Sequence, residues 1–146
     1  MAAPAYVPGV GVGVRHTAAS NARECVWLLA RGESLDSCWR FGILQTLDDY
    51  TSTLQRGGVM VAAGVFTDPP PMTGSLQVDA GFAALADHLA ERDGWQAPAW
   101  TADPARHAGA WYPDVPVIFK AEADRDSPRA FRQRGIFVTA SSLARA

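Results

Sequence analysis

The sequence predicts a mainly α-helical, compact domain that also contains an irregular segment rich in tryptophan and proline. Apolar residues recur at three- and four-residue steps over 35–54 and 76–92, as they do on one face of a helix. Capping residues and glycines bracket both stretches. With 48% hydrophobic and 19% charged residues, the 146-residue chain has the composition and length of one folded domain. A minor strand pairing is left open.

The N-terminal residues differ in composition from the rest of the chain. Residues 1–19 are dominated by alanine, proline, glycine and valine and contain no acidic side chain. Such a stretch has little apolar bulk to offset the entropy of ordering, so it is predicted to be a flexible arm. The run from Gly9 to Gly13 lacks the Lys-Ser/Thr of a phosphate-binding loop. Residues 20–146 are predicted to form the single helical domain.

Two helices are predicted in the first half of that domain. The first begins after Asn21, with Glu24 three residues on to complete a capping box, and ends at Arg31-Gly32. The second begins at the cap Ser34 and ends at Gly57-Gly58. Its apolar face consists of Leu35, Cys38, Trp39, Gly42, Ile43, Leu47, Tyr50 and Leu54.

Further helical segments follow, separated by an extended connector. Residues 59–66 form a short apolar run that is predicted as a buried helix, with a strand as the alternative. The prolines of the 68–71 connector exclude a helix there. A further helix is predicted from Leu76 to Arg92, closed by Gly94, with Val78, Phe82, Leu85, Ala86 and Leu89 on its apolar face.

Residues 95–118 show no sustained periodicity. Their tryptophans alternate with prolines, which predicts an irregular aromatic wrap over the helical core. Asp103-Pro104 can open a short helix that runs through His107, because proline suits the first turn of a helix. The run 117–123 fits either a strand or a helix.

The C-terminal stretch 127–138 has the capping and terminating residues of a short helix, and an extended tail follows them. Ser127 is predicted to cap the helix, Pro128 to occupy its first position, and Gly135 to end it in the left-handed conformation. Residues 1–119 carry 7 basic and 12 acidic side chains, whereas residues 120–146 carry 6 basic and 3 acidic ones. The chain therefore predicts an acidic body that ends in a basic segment.

This basic segment allows three interpretations: a solvated face, a surface for a protein partner, or a nucleic-acid contact. Arginine and aromatic residues are enriched at protein-binding hot spots, which favours a protein partner over nucleic acid. Nucleic acid is disfavoured because the sequence pI is about 5.8 and no groove-reading motif is present. The predicted partner-binding residues are Arg129, Phe131, Arg132, Arg134, Ile136 and Phe137.

The sequence offers no recognisable catalytic, metal or cofactor motif, so a non-enzymatic protein is predicted. The three histidines are scattered, and no histidine or cysteine has the HExxH or CxxC spacing of a zinc site. An enzyme that uses His107, Asp103 or a cysteine is the third-ranked hypothesis. Cys25 and Cys38 are expected to be free, buried thiols. Without a secretory signal or an apolar run of membrane-spanning length, a cytoplasmic location is expected.

Three motifs stand out along the chain: Asp68–Pro71, then Ala97–Trp100 with Asp103-Pro104 and Trp111-Tyr112, and finally Ser127–Val138. They resemble motifs of small, mostly uncharacterised actinobacterial proteins associated with toxin–antitoxin loci. The resemblance covers about three-quarters of the chain, from Leu35 to Ala146, although the chain ends in Leu143-Ala-Arg145-Ala146. The resemblance implies pairing with a nucleotidyltransferase-like toxin and neutralisation of that toxin by binding.

The expected function is therefore that of a protein-binding antitoxin. The alternative is a nucleic-acid or small-molecule binding module, in which the tryptophans form a stacking pocket and the C-terminal arginines hold phosphate. The sequence leaves the oligomeric state open.

Overall fold

The computed structural model describes residues 16–144 and confirms a mainly helical fold. The rest of the predicted arm, residues 1–15, lies outside the described residues. A π-helical segment, Trp39–Ile43, joins α2 to α3, and 3₁₀ turns occur at Gly64–Phe66, Ala99–Ala102 and Val117–Phe119. The α-helices are α1 (Ala18–Ala30), α2 (Leu35–Cys38), α3 (Leu44–Gly57), α4 (Val59–Ala63), α5 (Leu76–Asp93), α6 (Lys120–Asp126), α7 (Arg129–Arg132) and α8 (Ala140–Leu143).

Helix α5 lies at the centre of the domain. Every residue from Val78 to Ala86 is buried, and the predicted apolar face of this helix is confirmed. The predicted face of the second helix packs around it, and the largest buried side chains there are Trp39 and Tyr50. Gly42 allows α1 to approach this layer closely, because a Cβ at that position would lie 2.3 Å from the Cys25 Sγ.

Helix α1 begins earlier than predicted. Thr17 is its cap, and the Thr17 and Ser20 side chains bond reciprocally to each other's backbone N–H groups. The predicted cap Asn21 instead lies inside the helix, where its Nδ2 donates to Thr46 Oγ1 at 2.8 Å and to Asp49 Oδ2 at 2.9 Å. Because Ala18 and Ala19 are buried in α1, the boundary predicted at residue 20 is wrong.

The aromatic wrap is confirmed as an irregular segment. The Trp95 indole donates to the Tyr50 hydroxyl and the Trp100 indole to the Phe66 carbonyl, each at 2.9 Å. The helix predicted from Asp103 through His107 is wrong, because the chain makes only a turn there. Within residues 16–144 the strand pairing is limited to one parallel bridge, Trp111 with Ile136. The alternatives left open for 59–66 and 117–123 both prove helical.

The C-terminal helix is shorter than predicted, and Ser127 does not cap it. Pro128 occupies the cap position of α7, while the Ser127 hydroxyl bonds to the Ala123 carbonyl and to the backbone of Val138. Helix α7 ends at Arg132 and a turn follows it, but the predicted left-handed conformation of Gly135 is confirmed. Gly135 has φ +78°, and the Ile136 N–H returns to the Phe131 carbonyl, as in a Schellman motif.

Candidate functional site

Two of the six predicted partner-binding residues belong to the core. Phe131 and Ile136 are fully buried. The Phe131 ring meets the Trp39 ring edge-on at 6.3 Å, and the His88 ring at 5.7 Å. These side chains therefore hold α7 and the following tail on the domain, which corrects their placement on a binding surface.

Two predicted arginines, Arg129 and Arg134, form ion pairs with carboxylates of the same chain. Arg129 donates to Asp87 Oδ1 at 2.8 Å and lies 3.2 Å from Glu91, while Arg134 donates to Asp87 Oδ2 at 2.9 Å. Arg134 also donates to the Thr101 carbonyl, and its side chain is only 12% exposed. Burial alone would raise the pKa of Asp87, but the hydrogen bonds from both arginines outweigh burial and lower it. This ion cluster tethers α7 to α5.

The other two predicted residues, Arg132 and Phe137, take part in a surface stack with two residues that the prediction missed. The Arg132 guanidinium lies 5.9 Å from the Phe137 ring centre, and Phe137 stacks on Tyr112 at 5.0 Å. The Lys120 Nζ lies 4.8 Å from the Tyr112 ring centre. We call Lys120, Tyr112, Phe137 and Arg132 the aromatic–cation stack, because a cation covers each end of the ring pair.

Hydrogen bonds to Asp124 fix this stack. The Tyr112 hydroxyl donates to the Asp124 carboxylate, and the Arg132 Nη2 donates to the Asp124 carbonyl at 2.7 Å. The hydrogen bond to that carboxylate raises the pKa of Tyr112, because it favours the neutral phenol. One residue of α6 thus positions both an aromatic ring and a cation.

An exposed apolar segment lies next to the stack in the chain. Val117, Ile118 and Phe119 are 87%, 81% and 44% exposed, and we call them the apolar ridge. They form a 3₁₀ turn in which the Phe119 N–H donates to the Pro116 carbonyl at 2.9 Å. The turn continues into α6, so the ridge is carried by a helical segment.

Both sides of the ridge are tied to the domain. Ahead of it, the Asp114 N–H donates to Asp36, and the Asp114 carboxylate pairs with Arg40 at 3.2 Å. Behind it, Ala123 is buried and Ser127 links the end of α6 to the C-terminal tail. In the sequence, this site appears as a run of three apolar residues followed by a mostly polar stretch. The polar residues do not continue an apolar helical face, so the three apolar residues are not part of a longer buried face.

The catalytic alternatives gain little from the geometry. Asp103 and His107 line one shallow depression of about 240 Å³, together with Arg106 and Arg134. However, Asp103 accepts from the Ala105 N–H and His107 Nδ1 from the Gly109 N–H, so both side chains stabilise local turns. Arg106 is buried and donates to the carbonyls of Asp79 and Pro70.

The cysteines are confirmed as free, buried thiols. Burial, with the neighbouring Cys38 thiol, raises the pKa of Cys25, which disfavours a reactive thiolate. Within residues 16–144, no three His, Cys, Asp or Glu side chains converge as metal ligands would. The same residues include no helix with the length and apolarity to cross a bilayer.

Comparison of the chain with protein-family models, with curated proteins and with solved structures finds no match. The apolar ridge and the aromatic–cation stack are therefore the features of the protein from which a function is inferred.

Proposed function

We propose that this protein is a non-enzymatic binding module that neutralises a partner enzyme by direct contact, as an antitoxin does. The observation that carries the proposal is the apolar ridge, in which Val117 and Ile118 are more than 80% exposed. Burial of one such side chain in a partner would contribute about 1.5–3 kcal/mol, before the costs of association. A contiguous exposed apolar surface is typical of a protein interface.

The surroundings of the ridge also favour protein binding. Arg132, Tyr112 and Phe137 belong to residue types that are enriched at interface hot spots. The stack holds these side chains in contact with one another in the free protein, so less conformational entropy is lost on binding. The antitoxin role itself is supported by the sequence resemblance, and masking an enzyme requires only a complementary surface.

The nucleic-acid and small-molecule alternative draws no support from the tryptophans of the irregular segment 95–118. The Trp95 and Trp100 indoles donate inside the domain, and Trp111 packs edge-on against Trp39 at 5.7 Å. In the aromatic–cation stack, the outer face of each ring already carries a cation. A base could stack there only by displacing Lys120 or Arg132.

The direct test is coexpression with the product of the adjacent gene in a bacterial host, followed by growth and copurification. We expect the wild-type protein to restore growth and to copurify with that product. Ile118→Ser should abolish both effects, because it removes an apolar side chain from the centre of the ridge.

Met60→Ser is the matched control, because Met60 is 80% exposed but lies on α4 and is not part of the ridge. This variant should behave as wild type. Failure of the wild-type protein to protect or to form a complex would refute the antitoxin proposal. Equal losses of growth and copurification in Ile118→Ser and Met60→Ser would show that the ridge is not the binding surface.

A further inference from the structure

We infer that the partner presents an apolar groove edged by carboxylates, into which the helical segment 117–126 docks. This inference rests on the proposed function and adds the chemistry of the partner surface. The segment consists of the 3₁₀ turn Val117–Phe119 and α6, and it runs without a break between them.

The helical geometry places an exposed face opposite the one that packs on the domain. Ala123 is the buried residue of α6, and at 100° per residue Ile118, Ala121 and Arg125 lie on the opposite side. All three are exposed, and their spacing is i, i+3, i+7. When a helix binds in a groove, side chains at this kind of spacing contact the groove.

Two cations, Lys120 on the segment and Arg132 on α7, favour an acidic rim. Lys120 and Arg132 form no ion pair with any carboxylate among residues 16–144, whereas Arg129 and Arg134 are already paired. A carboxylate from outside can therefore approach Lys120 and Arg132 without displacing an internal one. Their ring contacts hold Lys120, which follows the ridge in the chain, at one end of the stack, and Arg132 at the other end, where it donates to the Asp124 carbonyl of α6.

The acidic residues of α6 compete little for these cations. Asp124 accepts from the Tyr112 hydroxyl, Asp126 pairs with the neighbouring Arg125 at 3.1 Å, and Glu122 is half-buried. The ridge itself favours protein over nucleic acid, since valine and isoleucine gain from burial against apolar side chains. The segment thus matches a groove that is apolar at its floor and acidic at its edges.

A displayed library of ankyrin-repeat proteins with randomised concave faces tests this inference without the natural partner. Such faces offer concave surfaces of every charge. Binders selected on the wild-type protein and counter-selected on Ile118→Ser should be enriched in Asp and Glu at the randomised positions. The affinity of these binders should be about tenfold lower for Lys120→Gln plus Arg132→Gln than for the wild-type protein. Their affinity for the wild-type protein should also fall as salt is raised, because salt screens the attraction between the charges.

Arg23→Gln plus Arg31→Gln is the matched control, because it removes the same charge from exposed positions of the α1 region. It should leave the affinity of the selected binders unchanged. Thermal unfolding of each variant checks that the domain stays folded. Binders without an acidic excess, or binders indifferent to the Lys120 and Arg132 changes, would overturn the inference.

Two further measurements distinguish other occupants of the same surface. A 20-nucleotide single-stranded RNA that bound at 150 mM salt, and lost binding in the Lys120→Gln plus Arg132→Gln variant, would assign the surface to nucleic acid. Concentration-dependent dimerisation in sedimentation that was lost in Ile118→Ser would assign it to a second copy of this chain. Either result would overturn the inference, whereas failure of the adjacent gene's product alone would refute only the antitoxin role.

Discussion

Replacement of Gly135 by alanine probes how the C-terminal tail is joined to the domain. Gly135 has φ +78°, and an added Cβ would lie 2.3 Å from the Gly109 carbonyl oxygen. Gly94 provides a matched control, because its φ is +80° but nothing lies within 4 Å of an added Cβ. The two substitutions share the left-handed backbone strain and differ in the steric clash.

The expected magnitudes follow from that difference. An alanine in the left-handed region costs about 1–2 kcal/mol, so Gly94→Ala should lower the free energy of unfolding by about that amount. At Gly135 the backbone of the 109 loop must also move. That movement disrupts the 2.8 Å bonds from Ala108 to the Arg134 carbonyl and from Trp111 to the Gly135 carbonyl, at about 1 kcal/mol each. Gly135→Ala should therefore cost about 3–4 kcal/mol in total.

Urea unfolding followed by tryptophan fluorescence measures both variants. A loss of about 3–4 kcal/mol is a large share of a typical domain stability of about 5–15 kcal/mol, so the difference between the variants is measurable. Equal losses at the two glycines would refute the argument, because they would mean that the 109 loop yields to the new methyl group without cost.

Three further substitutions test the contacts that build the domain. Asp87→Asn removes the carboxylate partner of two arginines and should cost about 2 kcal/mol at pH 7 in urea unfolding. Because the pKa of Asp87 is lowered in the folded protein, its contribution is present above the unfolded value of about 3.9 and is lost as the pH falls through the folded value. The variant should thus approach wild-type stability at acidic pH, and an equal deficit at pH 7 and below the folded pKa would contradict this. Tyr50→Phe removes the acceptor of the Trp95 indole and the bond to Asp93, and should cost about 1–2 kcal/mol in the same assay; an unchanged midpoint would exclude that role. Thr17→Ala should cost about 1 kcal/mol and reduce hydrogen-exchange protection in the first turn of α1, whereas unaltered protection would argue against the observed cap.

Three helix boundaries could be predicted from the sequence alone. The cap Ser34, the end at Gly57-Gly58 and the end at Gly94 each depend on residues within one helical turn, and all three are confirmed. Apolar periodicity likewise identified the buried face of α5. These features depend on backbone geometry and short-range bonds, which a single sequence carries directly.

The errors arose where a polar side chain has a distant partner. Asn21 looks like a cap, but its amide bonds to Thr46 and Asp49 across the α1–α3 contact. Ser127 also looks like a cap, but its hydroxyl bonds to the backbone of Val138, eleven residues away. The same sequence positions permit both roles, and only tertiary packing decides between them.

The candidate site was predicted only in part for the same reason. A basic C-terminal segment is visible in the sequence, but the pairing of Arg129 and Arg134 with Asp87 joins residues more than 40 positions apart. That pairing leaves Arg132 as the arginine of the aromatic–cation stack. The apolar ridge fits a strand or a helix equally well in sequence, so its exposure became clear only from the structure.

Hydrogen–deuterium exchange of the free protein and of its complex with the adjacent gene's product tests the central claim most directly. We expect slowed exchange over residues 117–126 on complex formation, with little change in α1 around Trp27, which is 65% exposed. Protection centred on α1, with unchanged exchange over 117–126, would contradict the assignment of the apolar ridge as the binding surface.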